Sequence, residues 1–229
     1  LRLAIIVLGL LWSGNTNADH NLKHFVVIDC DLEASSNSYN IKKQKFGEIK
    51  AKQIGAIRIY DGALDPGFCD DLVEVFNKNH ELHENIDEQQ IKCIQYSYSK
   101  NHEGEDVHEQ LKDHIMKLYE HYLEDLNLPN MIAHKGLESL KIRKYDPDEE
   151  PIANPHIDVV NHESAIRAIG FLFYLTDNDK MTNFPRQGVG VESIKGRVVI
   201  YPPSWEYPII ENMPEEGSKY NMQTYLHYA

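Results

Sequence analysis

The pentapeptide Asn154-Pro155-His156-Ile157-Asp158 is the part of this 229-residue chain from which the rest can be read. On an extended strand, residues two apart point to the same side, so His156 and Asp158 project together. An imidazole and a carboxylate converging on one point are two of the three ligands of a 2-His-1-carboxylate facial triad, the arrangement that leaves open positions on Fe(II). By itself an H-x-D is common by chance, and a satisfied surface pair is the competing reading. Its weight depends on the sequence to either side.

Outward from it, Leu140-Lys141-Ile142-Arg143-Lys144-Tyr145 and Arg197-Val198-Val199-Ile200-Tyr201 alternate as strands do, and Tyr220 to Tyr228 does so less cleanly. Ala165 to Leu175 and Gly188 to Glu192 lie between them. Short strands parted by Gly, Pro and Asn/Asp turns predict an all-β core of sandwich or jelly-roll type. Before Pro129 the pattern differs. Ile57-Arg58-Ile59-Tyr60 is a short strand ended by Asp61-Gly62, and Asp65-Pro66 supplies an N-cap and a first-turn proline. Phe68, Leu72, Val75 and Phe76 fall on one face of the helix that follows. A second helix runs from about Glu105 to Leu126, with Val107, Leu111, Ile115, Leu118 and Tyr122 at helical spacing. His108, His114 and His121 lie off that stripe and read as surface histidines without a role. Helices first and strands second define an α+β class, with the N-terminal helices packed on one sheet of a double-sheet core.

Composition narrows the partners. Twenty-three Lys+Arg against 36 Asp+Glu give a net charge of −13, and the longest basic cluster is Lys42-Lys43-Gln44-Lys45. Such a surface repels phosphate backbones and anionic lipid heads, so no nucleic-acid partner is expected. Cys30, Cys69 and Cys93 are too widely spaced for a disulfide scaffold or a thiolate zinc site. Arg2, the apolar run Leu3 to Trp12 and the small residues ending at Ala18 have the layout of a secretory signal peptide over residues 1–18. A buried strand or helix is the alternative. The signal implies a secretory route, to periplasm, ER lumen or exterior, with no integral span after its removal; without it the cytoplasm is expected. Residues 19–55 read as a polar arm with one strand at Phe25-Val26-Val27-Ile28, and 56–229 as the folded domain.

Taken in order, these segments resemble the prolyl 4-hydroxylase-like branch of the Fe(II)/2-oxoglutarate dioxygenases, from Ile57 to Tyr228, about three quarters of the chain. Ile59-Tyr60-Asp61-Gly62-Ala63-Leu64 with Cys69-Asp70-Asp71-Leu72 is similar to that family's opening strand and helix. Ile142-Arg143-Lys144-Tyr145 resembles the strand leading to the H-x-D, and Arg167 with Phe173-Tyr174-Leu175-Thr176 the family's arginine and tyrosine strand. Thr182-Asn183-Phe184-Pro185 lies where a glycine-rich acidic turn is usual, and lacks the glycines. Gly196 to Pro203 resembles the strand before the second histidine, and Gly217-Ser218-Lys219-Tyr220 with Thr224-Tyr225-Leu226-His227-Tyr228 the closing strand.

The resemblance implies a double-stranded β-helix (jelly-roll or cupin-like) core and a hydroxylase of a peptidyl proline or similar side chain. It implies Fe(II) held by His156 and Asp158, 2-oxoglutarate as cosubstrate, and ascorbate as an accessory. Lys219 would pair with the distal carboxylate of 2-oxoglutarate, Tyr174 would donate to the same carboxylate, and Tyr145 would line the pocket. A lysine buried in a barrel requires such an anionic partner.

One expected ligand is missing. The family's second histidine lies shortly after a phrase like Tyr207-Pro208, about ten residues before the lysine, and the residue there is Ile209, followed by Ile210. An alkyl group has no lone pair to donate. His227 is eight residues beyond Lys219, roughly 26 Å along a strand. His162 lies six residues after His156 in an expected loop, and Glu211 offers a hard oxygen that suits other metals better. A two-ligand or empty site is therefore the expectation. Two functions follow: a dioxygenase with an altered metal site, or a pseudoenzyme that uses the barrel as a binding module, with a protein, a peptide or a small molecule as its partner. Residues 78–104, with His80, His83, Tyr96 and Tyr98, fall where variable substrate loops are expected.

Overall fold

Alternation along Arg167-Ala168-Ile169-Gly170-Phe171-Leu172-Phe173-Tyr174 sorts side chains into two cores, and this strand lies at the centre of the molecule. The computed structural model describes residues 52–88, 91–97, 105–128, 134–147 and 154–229; the expected signal, residues 19–51 of the arm, the Phe25–Ile28 strand and Tyr98 lie outside the described residues. In chain order the elements are β1 (Lys52–Ile54), β2 (Ile57–Tyr60), α1 (Pro66–Lys78), β3 (Glu84–Glu88), β4 (Ile91–Ser97), α2 (Glu105–Asp125), β5 (His134–Leu137), β6 (Lys141–Tyr145), β7 (Arg167–Tyr174), β8 (Asn178–Phe184), β9 (Val189–Ser193), β10 (Val198–Tyr201), β11 (Ile210–Glu211) and β12 (Lys219–Tyr228).

Among the described residues, nine strands form one large sheet in the order β1-β2-β10-β7-β12-β6-β4-β3, with β5 also paired to β12, and β11-β8-β9 form a smaller one. Every pairing is antiparallel. The expected jelly-roll class is observed. One face of the large sheet presents Ile142, Phe171, Phe173, Ile200 and Met222 to the helices, which answer with Leu72, Phe76, Leu111, Ile115 and Leu118. Each such side chain withdrawn from water contributes about 1.5–3 kcal/mol. The other face packs Leu172, Tyr174, Val199 and Tyr201 against Phe184, Val189, Val191 and Ile209 of the small-sheet side.

Local chemistry places the ends of these elements. Asp65 caps α1 by accepting from the amides of Gly67 (2.8 Å) and Phe68 (3.3 Å), a contact worth about 1 kcal/mol. Gly196 takes φ +82° before β10, and a Cβ there would lie 2.4 Å from the carbonyl oxygen of Leu64. Only glycine allows that approach, through which the Leu64 amide donates to the Gly196 carbonyl at 3.0 Å.

Three expectations change. Glu84–Glu88 and Ile91–Ser97 form the paired strands β3 and β4 on the edge of the large sheet, where loops were expected, because Cys93, Gln95 and Ser97 alternate with Ile94 and Tyr96. The sheet begins at Lys52, inside the expected arm, since β1 pairs with β2. His114 is half-buried, its Nε2 2.6 Å from the Ala63 carbonyl oxygen, and His121 packs on Tyr60 with ring centroids 5.2 Å apart. Burial lowers the His114 pKa below its usual value. No described helix is long and apolar enough to cross a membrane.

Candidate functional site

Pleating makes the inner face of the large sheet polar at one end. On β12 the outward residues are Tyr220, Met222 and Leu226, which join the helix-side core, while Lys219, Asn221, Gln223 and Tyr225 turn inward. Register sets Lys219 opposite Tyr145 and Asn221 opposite Arg143 of β6, and Asn221 opposite Tyr174 of β7. The Arg143 guanidinium donates to Gln95 Oε1 (3.1 Å) and Gln223 Oε1 (2.7 Å). Across from this face stand Thr182 of β8, Glu211 of β11 and the H-x-D segment. Between them lies a narrow interstice, nowhere wide enough for a water molecule, lined by Arg143, Tyr145, His156, Ile209, Glu211 and Gln223 among others.

His156 and Asp158 converge as the spacing predicts. Both are buried, with His156 Nε2 3.9 Å from Asp158 Oδ1. Asp158 is held from two sides: Oδ2 accepts from Tyr201 Oη at 2.7 Å, and its main-chain oxygen accepts from Arg167 at 2.6 Å. Tyr201 in turn accepts from Gln223 Nε2 at 3.1 Å. Gly170 is what lets the Tyr201 ring lie across the sheet, since a Cβ there would come within 3.0 Å of Tyr201 Cζ. Burial, then the Asp158 charge, holds the Tyr201 phenol well above its usual pKa, and both act on Tyr225 in the same way. Burial pushes Glu138 up, but hydrogen bonds from Arg167 and Lys141 outweigh it and hold its carboxyl down to about 2. Arg167 also lies over the Tyr225 ring, 4.1 Å from its centroid.

Ile209 forms an antiparallel bridge with His156. The two exchange backbone hydrogen bonds, His156 N to Ile209 O at 2.9 Å and Ile209 N to His156 O at 2.8 Å. Side chains of such a directly opposed pair point to the same face. The group beside the His156 imidazole is therefore a buried sec-butyl, 2% exposed. His227 stands at the far end of β12, 3.3 Å from Glu138, and His162 is exposed. Among the described residues no three His, Cys, Asp or Glu side chains are placed to hold a metal ion. The described donors beside His156 and Asp158 do not make up a facial triad.

At the other end of the cleft, Lys219 is fully buried, and its ammonium meets Glu211 Oε2 at 2.7 Å. Asn221 Nδ2 donates to the same oxygen at 3.3 Å, and Thr182 Oγ1 donates to Oε1 at 2.9 Å. The Tyr145 and Tyr174 rings flank the ammonium at 5.9 and 6.0 Å. Burial raises both phenols well above their usual pKa. Tyr174 Oη makes no hydrogen bond of ordinary geometry, although Thr182 lies within its reach. All five sequence-predicted site residues thus line one interior: His156 and Asp158 at one end, Lys219, Tyr145 and Tyr174 at the other.

Sequence reasoning missed three members of this interior. Arg143 and Gln223 were recoverable from alternation, since they lie two residues from Tyr145 and four from Lys219. Glu211 was weighed as a metal donor, and its role as the partner of Lys219 became visible only through the β11–β8 pairing that sets Glu211 opposite Thr182.

No protein-family model matches the sequence, and no curated protein sequence does. Solved structures do match. The viral collagen prolyl hydroxylase of Paramecium Bursaria Chlorella virus-1, in its 2-oxoglutarate complex, is 17% identical over 76% of this chain and 96% of its own, with a TM-score of 0.56. A Pseudomonas putida prolyl-4-hydroxylase is 14% identical over 76% and 93%, with a TM-score of 0.60. A Trichoplax adhaerens prolyl hydroxylase, in complex with a hypoxia inducible factor peptide fragment, is 15% identical over 76% and 84%, with a TM-score of 0.61. Identities this low speak to architecture, and on that evidence the chain has the jelly-roll fold of the 2-oxoglutarate-dependent oxygenase structures.

Proposed function

We propose that this chain is an oxygenase-fold protein that acts by binding a protein or peptide, without Fe(II)- and 2-oxoglutarate-dependent hydroxylation. The observation that carries this reading is the His156–Ile209 bridge. A second imidazole would have to stand beside His156, and the side chain there is an alkyl group that offers no electron pair. His156 and Asp158 alone leave a metal with two protein donors.

The decisive experiment is anaerobic mixing of the protein with Fe(II) and 2-oxoglutarate. No visible charge-transfer band is expected, and no succinate on admitting oxygen; a band with succinate overturns the reading. Ile209→His is expected to raise the affinity for Mn(II), read by electron paramagnetic resonance. An unchanged affinity places the third donor elsewhere.

A second reading, hydroxylation of a peptidyl proline through an altered metal site, is favoured by one observation: His156 and Asp158 remain buried and convergent. Succinate formation with a proline-containing peptide separates the two.

A further inference from the structure

We propose that Glu211 is a built-in occupant of a carboxylate-binding seat, and that removing its side chain turns the seat into a receptor for small free carboxylates. The seat has an ammonium, an amide and a hydroxyl, from Lys219, Asn221 and Thr182, all directed at one carboxylate group. These donors come from β12 and β8, whereas the carboxylate arrives on the two-residue strand β11. The receptor and its occupant are therefore separate pieces of the fold, as a site and a ligand are.

Lys219 is 0% exposed, and a buried ammonium without an anion pays the full cost of leaving water. The flanking Tyr145 and Tyr174 faces add attraction to any cation held between them, but carry no neutralising charge. Tyr174 contributes a further buried hydroxyl that a differently placed carboxylate oxygen could engage. Glu211 and His156 border the same narrow interstice, which admits no water, so the room for a free carboxylate is what loss of the Glu211 side chain itself leaves. In the native chain the tethered carboxylate meets Lys219 at an effective concentration that free acids in millimolar solution do not match. The seat is closed by its own residue.

The inference concerns the Lys219 end alone, so its test contains no iron and is independent of turnover and of the His156–Ile209 bridge. Metal-free Glu211→Gly protein is expected to melt on the order of 10 °C below wild type. Millimolar acetate, succinate or 2-oxoglutarate should raise its melting temperature in a saturable way, as binding to the native state alone requires. Wild type and the Lys219→Met/Glu211→Gly double variant should not respond. Absence of a response in Glu211→Gly, or an equal one in wild type, overturns the proposal. Should the glycine variant fail to fold in buffer alone, its yield on refolding from denaturant should rise in a saturable way with acetate and not with chloride. Equal yields in the two salts overturn the proposal as well.

Discussion

The two ends of the inner cleft differ in what stands beside their buried polar groups. At the His156 end the neighbour is an alkyl group: Ile209 adds apolar contact to the cluster of Leu172, Tyr174 and Tyr201. Asp158 keeps Tyr201 and its backbone keeps Arg167. At the Lys219 end the buried ammonium meets a carboxylate from within the chain. Loss of a polar neighbour costs little where what takes its place is apolar and the surroundings are dry. A buried cation tolerates no such loss, and the difference between the ends follows from charge.

The comparison can be broken most forcefully at the carboxylate end. Glu211→Ala, by leaving Lys219 buried and alone, is expected to cost about 3–5 kcal/mol in denaturant unfolding, whereas Lys219→Met/Glu211→Leu should be close to neutral. A double variant as unstable as the single one would mean that packing, and not charge, dominates there. Next in size is an acid effect at the His156 end, where Glu138 anchors the Arg167 that grips Asp158. Its folded pKa lies near 2 against an ordinary 4.5, so the stabilisation is complete above about pH 4.5 and is lost as pH falls toward 2. Wild type should lose up to about 2–3 kcal/mol across that window, and Glu138→Gln should show no such loss when melting is followed against pH.

Two smaller effects sharpen the contrast. Tyr201→Phe removes the donor to Asp158 and is expected to cost about 1–2 kcal/mol by thermal unfolding. Ile209→Val, which trims one methylene from the apolar cluster, should cost only about 0.5–1.5 kcal/mol.

Much of this architecture was legible beforehand because pleat and helix periods are local. The N-cap at Asp65, the apolar stripe of α2 and the shared face of His156 and Asp158 needed nothing beyond neighbouring residues. Counting back from Lys219 singled out Ile209, and the backbone bridge sets that residue beside His156. The β3–β4 pairing was not legible, because Gln95 and Ser97 face an interior that is itself polar, so its strands do not read as half-buried. The Lys219–Glu211 pair was hidden for a different reason. Its two residues sit on strands that do not pair with each other, and only the approach of the two sheets brings them together.

The ion pair also governs what a single substitution on this segment disturbs. Ile209→His changes the group beside His156 and leaves Lys219 paired with Glu211, whereas removing Glu211 leaves the ammonium buried without its carboxylate. Residues 209 and 211, on either side of Ile210, thus tie the two ends of the cleft to one short segment, so that a displacement of that backbone reaches His156 and Lys219 together.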